Sequence, residues 1–304
     1  MDLNTILCPV DFSAATPFGL APAAALAERC GAGVVLLHVM DLPSPQFSVE
    51  VEGFDLQEFL AERREEARAR LEDLARRSFA GAASTRCVVE SGAPAAAIVE
   101  LATAEAAGLV VLPTHSRRGL DRLILGSVAE KVVRLAACPV LTTHPGRDAT
   151  TVPEFRLGKI VFATDFSDHA GATLASALSL AGIAGAALIM VHVVSEPEFD
   201  PAIPAWSRPQ VPSSFAAAHL ERAQVRLEEL ADTARESGAE VTTTVHKGVD
   251  IARAIVHTAE QEGADLIVLA TRGHTGITHL LLGSTAERVV RYADCAVWTE
   301  RQPR

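Results

Sequence analysis

Ile6-Leu-Cys-Pro-Val-Asp11-Phe-Ser13 and Ile160-Val-Phe-Ala-Thr-Asp165-Phe-Ser167 are one segment written twice, 154 residues apart. Each is a short apolar run that breaks at an acid and continues as Phe-Ser. An unbroken apolar run of this length, stopped by a turn-forming residue, reads as a strand buried on both faces. The likeness extends outward. Val34-Val-Leu-Leu-His38-Val39 answers Ala187-Leu-Ile-Met-Val-His192-Val193 at the same spacing of 154. Leu123-Ile-Leu-Gly126-Ser127-Val-Ala-Glu130 answers Leu280-Leu-Leu-Gly283-Ser284-Thr-Ala-Glu287, now 157 residues apart. The drift of three places a length difference in one intervening loop. Self-similarity on this scale makes each half a structural unit. The seam falls in the Pro-, Gly- and Thr-containing stretch from His144 to Leu157. The expected organisation is therefore a unit at 1–146, a linker at 147–154 and a unit at 155–304.

Both halves follow one order. The first apolar run (Thr5–Val10; Lys159–Thr164) leads to an Ala-rich helical stretch (Ala15–Cys30; His169–Ala181). A second run ending in His-Val precedes a Pro-containing segment (Asp41–Asp55; Ser195–Ser214) and a charged amphipathic helix (Leu56–Arg77; Phe215–Ser237). A third run follows (Thr85–Val89; Glu240–Val245), then a helix (Ala95–Ala107; Ile251–Glu262). A fourth run (Leu109–Leu112; Leu266–Leu269) leads to the Gly-Ser segment and its helix, and a fifth (Pro139–Thr143; Ala296–Glu300) closes the half. Strands alternating with helices imply parallel β-structure with right-handed crossovers, so each half is expected to be a five-stranded α/β unit with helices on both faces.

Composition narrows the function. Of 304 residues, 49% are hydrophobic and 21% charged, enough to build a core in each half and too apolar for a disordered chain. The net charge of −11 repels a phosphate backbone, which excludes general nucleic-acid binding. Mean hydropathy is +0.22, yet the apolar residues lie in short runs, none near the roughly 20 residues of a membrane helix. The opening MDLNTILCPVDFS has neither the basic nor the apolar region of a signal peptide. Five cysteines without CxxC spacing suit a reducing compartment. A cytoplasmic protein without membrane contact is expected.

In an open parallel sheet, ligands bind beyond the carboxyl ends of the strands. Three strand ends converge there: Asp11 or Asp165 after the first, Val39 or Val193 on the second, and Pro113-Thr-His-Ser116 or Ala270-Thr-Arg272-Gly273 after the fourth. Nine residues later, Gly126-Ser127 or Gly283-Ser284 opens a helix, whose free N–H groups and positive dipole end suit phosphate. An acid at a strand end can accept from ribose hydroxyls.

The order strand-Asp, His-Val, then G-x2-G-x9-G-[ST] before a helix resembles the universal stress protein family. The likeness covers both halves and includes the repeated LLLGSxAE-type segment and the Cys138-Pro-Val last strand, as in a tandem two-domain member. The resemblance implies two Rossmann-like domains (adenine nucleotide alpha hydrolase-like), each a parallel sheet of order 3-2-1-4-5. It also implies ATP binding in one branch of the family and none in another. In the second half only the first glycine of the motif is changed, to Ala270, and Gly273, Gly283 and Ser284 stand at family spacing. In the first half Pro113 and Ser116 replace both single glycines, while Gly126-Ser127 remains. Pro113 offers no N–H and has a fixed φ. Arg117, Arg118 and Arg122 in the first-half spacer could still hold an anion.

The expected ligand is therefore ATP, with Mg2+ possible. It would bind chiefly in the second half, at Asp165, Val193, Ala270, Arg272, Gly273, Gly283, Ser284 and Thr285; the first-half counterparts are Asp11, Val39, Ser116, Gly126 and Ser127. Each of these has a plainer reading. Ser127 and Ser284 begin Ser-x-x-Glu, a capping box with or without a ligand. Asp11 and Asp165 could cap the helices that follow. His38 and His192 read as core histidines, His274 and His279 as loop residues that either touch phosphate or face solvent. Glu65-Glu66 and Glu228-Glu229 read as solvated helix faces. No catalytic set, Walker loop or metal-ligand spacing occurs, so the enzyme reading stops at slow ATP hydrolysis or self-phosphorylation at Ser284. A nucleotide-free module for a protein or apolar ligand is the alternative. In this family the last strands of two domains pair, so an intrachain pseudo-dimer is expected, with a homodimer left open.

Overall fold

A computed structural model describes residues 3–40, 56–114, 125–145, 152, 154–195, 213–271 and 282–301. The chain divides into two compact units, Met1–Arg156 and Leu157–Gln302.

In the first unit, β1 (Thr5–Pro9) is followed by α1 (Thr16–Cys30), β2 (Gly33–Met40), α2 (Leu56–Ser78), β3 (Ser84–Ser91), α3 (Pro94–Ala104), β4 (Leu109–Pro113), α4 (Ser127–Leu135) and β5 (Val140–Thr143). β1 lies between β2 and β4, β3 lies outside β2, and β5 outside β4, every pairing parallel. The order is thus 3-2-1-4-5. The second unit repeats it with β6 (Lys159–Ala163), α5 (Asp168–Ala184), β7 (Ala187–Ser195), α6 (Ser213–Glu236), β8 (Val241–Gly248), α7 (Ile251–Glu262), β9 (Leu266–Ala270), α8 (Ser284–Tyr292) and β10 (Ala296–Glu300). Here β6 is flanked by β7 and β9, β8 lies outside β7, and β10 outside β9.

The apolar runs form the buried centre of each sheet. Ile6, Leu7, Leu36, Leu37, Leu109 and Val110 are fully covered in the first, as are Ile160, Val161, Phe162, Leu188, Ile267 and Val268 in the second. Apolar side chains on both sides of a strand leave helices as the only possible neighbours above and below. The helices answer with one apolar stripe each. In α6 that stripe is Ala223, Leu227, Ala231 and Ala234, three to four residues apart. In α4 and α8 it is the same triplet, Ala129, Val132, Val133 and Ala286, Val289, Val290. α3 packs on α4 and α7 on α8. α1 and α5 each end on a left-handed glycine, Gly31 (φ 63°) and Gly185 (φ 65°), which turns the chain directly into the next strand.

No helix among the described residues is long and apolar enough to cross a membrane. All five cysteines are free.

Candidate functional site

The sheet register gathers the site. In the second unit Ala163 on β6 pairs with Val191 on β7 and Leu269 on β9. Asp165, Val193 and Ala270 therefore sit one or two residues beyond one level, at the carboxyl ends of three adjacent strands. In the first unit Pro9 pairs with Leu37, which brings Asp11 and Val39 to the same end. The Gly-Ser segment is tied to that end by one backbone hydrogen bond in each unit. Gly283 N donates to Thr271 O at 2.8 Å, and Gly126 N to Thr114 O at 2.9 Å. Thr271 and Thr114 directly follow β9 and β4, so the helix starts are pinned to the fourth strands.

Of the second-unit residues expected at a site, the structure brings together Asp165, Val193, Ala270, Gly283, Ser284 and Thr285. Arg272 and Gly273 lie outside the described residues, as do His274 and His279. In the first unit Asp11, Val39, Gly126 and Ser127 are placed, and Ser116, Arg117, Arg118 and Arg122 fall outside the described residues.

Two of the plainer readings are corrected. Ser127 and Ser284 do not cap their helices. Each is the first helical residue; Gly126 and Gly283 are the N-caps, and neither helix start has a side-chain cap. The glycine takes the cap position because its own N–H is held by the threonine carbonyl. Among the described residues the Ser284 hydroxyl has no hydrogen-bond partner, and no side chain caps the first-turn N–H groups of α8. Asp11 and Asp165 do not cap α1 and α5 either. Asp165 Oδ1 accepts from Ser167 N (3.0 Å) and Ser167 Oγ (2.6 Å); Asp11 Oδ1 accepts from Ser13 N (3.0 Å) and Thr16 Oγ1 (3.1 Å). Each acid thus closes its own turn with one oxygen.

Gly126 has a packing role that needs no ligand. A Cβ there would lie 2.6 Å from Thr114 O, closer than carbon and carbonyl oxygen approach. Gly126→Ala must push α4 from the end of β4, and the first unit is expected to lose about 1–3 kcal/mol. Denaturant unfolding checks this; an unchanged midpoint would refute it.

His38 and His192 are satisfied histidines, as the plainer reading has it. His38 Nδ1 donates to Val10 O at 2.7 Å and His192 Nδ1 to Thr164 O at 2.8 Å. Burial pushes the His192 imidazole below its ordinary range, more than the Thr164 bond and nearby Asp165 raise it. At neutral pH it is therefore uncharged, with Nδ1 protonated.

The sequence reading missed the residues that hold the Asp turn. Phe12 (φ 57°) and Phe166 (φ 61°) adopt the left-handed region. Arg70 of α2 sits over the Phe12 ring at 4.0 Å, and Arg226 of α6 over the Phe166 ring at 4.7 Å. The available signal was an Arg recurring at matching places in the two charged helices.

Comparison with known proteins fits this geometry. A sequence model of the universal stress protein family matches residues 3–144 and again 157–300. The chain is 35% identical over 146 residues to universal stress protein MJ0531 of Methanocaldococcus jannaschii, covering 48% of this chain and 83% of that one. It is 29% identical over 197 residues to universal stress protein Rv2005c of Mycobacterium tuberculosis, covering 64% of this chain and 62% of that one. Among solved structures, a universal stress protein from Archaeoglobus fulgidus matches all of both chains with a TM-score of 0.72 at 21% identity, a likeness of fold.

Proposed function

The chain belongs to the universal stress protein family, once in each half, and from that premise we propose that it is a cytoplasmic stress-response protein whose second unit binds ATP as a regulatory ligand. One observation carries this reading: the start of α8, with Gly283 as N-cap, no side-chain cap and a Ser284 hydroxyl without a hydrogen-bond partner among the described residues, is tied to the strand end beside Asp165. Helix N–H groups and dipole favour phosphate, and a strand-end carboxylate favours ribose hydroxyls. Ala270 is the smallest replacement for a motif glycine and leaves its N–H in place. Arg272 and Gly273 complete the phosphate grip in this reading, and Val193, 7% exposed, forms an apolar wall. Triphosphate normally arrives with Mg2+, whose remaining ligands would be water and phosphate oxygen.

The first unit contributes less. Pro113 and Ser116 remove two bare backbone positions from its phosphate loop. Calorimetric titration of the full chain with ATP and Mg2+ is expected to give one site per chain. Nucleotide released from freshly purified, denatured protein should be identifiable by mass spectrometry. No heat and no released nucleotide would turn the reading toward a module that works without nucleotide.

A further inference from the structure

Only three described non-glycine residues have positive φ: Phe12, Phe166 and Ala106. Two of these are the same residue of the repeat, next to the acid at the end of the first strand. An aromatic residue in this region is strained, and such strain persists where its surroundings over-determine it. The surroundings here are specific. His192 Nδ1 donates to the carbonyl of Thr164, just before Asp165 (2.8 Å). Arg226 Nη2 donates to the carbonyl of Phe166, just after it (3.2 Å). The Phe166 ring lies against the imidazole with centroids 4.3 Å apart, and the Arg226 guanidinium covers it. Asp165 is thereby held from both sides, and its Oδ1 is fixed by Ser167. The first unit repeats the His–Phe–Arg stack with His38, Phe12 and Arg70, its ring centroids 4.5 Å apart.

We propose that His192 and Arg226 are positioning residues: with Phe166 between them they preset the Asp165 carboxylate for the two ribose hydroxyls of a bound nucleotide. The inference rests on the ATP reading and assigns α6 a part in it. Arg226 is the informative one, because it is exposed on α6 and its loss removes no core packing. Without it the Phe166 carbonyl loses its donor and the ring its cover. The turn then relaxes toward ordinary φ, and the carboxylate is no longer aimed in advance.

Calorimetry on the full chain, with ATP and with 2′,3′-dideoxy-ATP, tests this. Wild type should prefer ATP. Arg226→Ala should weaken ATP binding about fivefold to tenfold and dideoxy-ATP binding less than twofold, bringing the two nucleotides together. Arg226→Lys, which can still cover the ring and donate, should recover most of the loss. An Arg226→Ala variant that weakens both nucleotides equally, or neither, overturns the positioning role while leaving ATP binding intact. So does a wild type that binds both nucleotides alike. A wild type that binds neither overturns the ATP reading and this inference with it.

Discussion

Ser284→Asp is expected to weaken ATP binding by about 100-fold without lowering the unfolding temperature. The two halves of this expectation have separate causes. Ser284 is exposed, begins α8 and has no hydrogen-bond partner among the described residues, so no packing is lost. An acid in the first helical turn interacts favourably with the dipole, by roughly 0.3–1 kcal/mol, and the fold should gain slightly. The same charge faces a triphosphate. Two like charges about 4 Å apart repel by about 4 kcal/mol at an effective dielectric constant near 20. Solvent and salt reduce this at an open site, and about 2–3 kcal/mol remains, close to two decades of affinity. Ser284→Ala separates the charge from the hydroxyl and should cost only a few-fold. Calorimetric titration and thermal unfolding of the two variants provide the check. Binding by Ser284→Asp at wild-type strength would mean that the phosphates lie elsewhere.

Trp298→Ala is expected to cost the second unit about 3–5 kcal/mol. Trp298 is the largest wholly buried side chain among the described residues, at 0% exposure in β10. Its first-unit counterpart is the smaller Leu141, also buried. Truncating a fully enclosed indole leaves a cavity in the packing around β10. For a unit of this size the loss corresponds to a fall of roughly 10–15 °C in its unfolding temperature. The first unit should be affected far less, so differential scanning calorimetry should resolve two transitions in the variant. A single transition at the wild-type temperature would contradict the packing described here.

The central strands were legible because burial on both faces writes itself as an unbroken apolar run. The reading placed Leu109–Leu112 and Leu266–Leu269, and the strands found are Leu109–Pro113 and Leu266–Ala270. Helix α7 was read at Ile251–Glu262 and is found there, with Asp250 as a true cap whose side-chain oxygen accepts from the Arg253 N–H. Outer strands were less legible. Glu240–Val245 became Val241–Gly248, because the ladder with β7 runs on to the Ser195–Gly248 pair, and the length of a neighbour is not written in the strand itself.

At the site, strand ends and helix starts were legible as residue types, but not the roles of Ser284 and Phe166. Ser-x-x-Glu has the spacing of a capping box, yet the bond between Gly283 and the Thr271 carbonyl shifts the cap back by one residue. Phe166 could not be foreseen in a left-handed conformation, because local preference argues against it. Beside the local bond from Phe166 N–H to the Thr164 hydroxyl, side chains distant in sequence, His192 and Arg226, hold it there.

The proline that ends β4 has a further consequence. A Cβ on Gly19 of α1 would come within 3.0 Å of the Pro113 ring, so that ring is accommodated by a helix position that carries no side chain. The matching position in α5 is Thr173, wholly buried, opposite a unit whose fourth strand ends in Ala270. The residues at positions 19 and 113 are therefore coupled, and the order in which they are exchanged matters. A Thr at position 19 crowds the ring, and replacing Pro113 by glycine opens a gap beside the helix. Anyone grafting a phosphate loop from the rear half onto the front has to treat the helix position and the strand end as one unit.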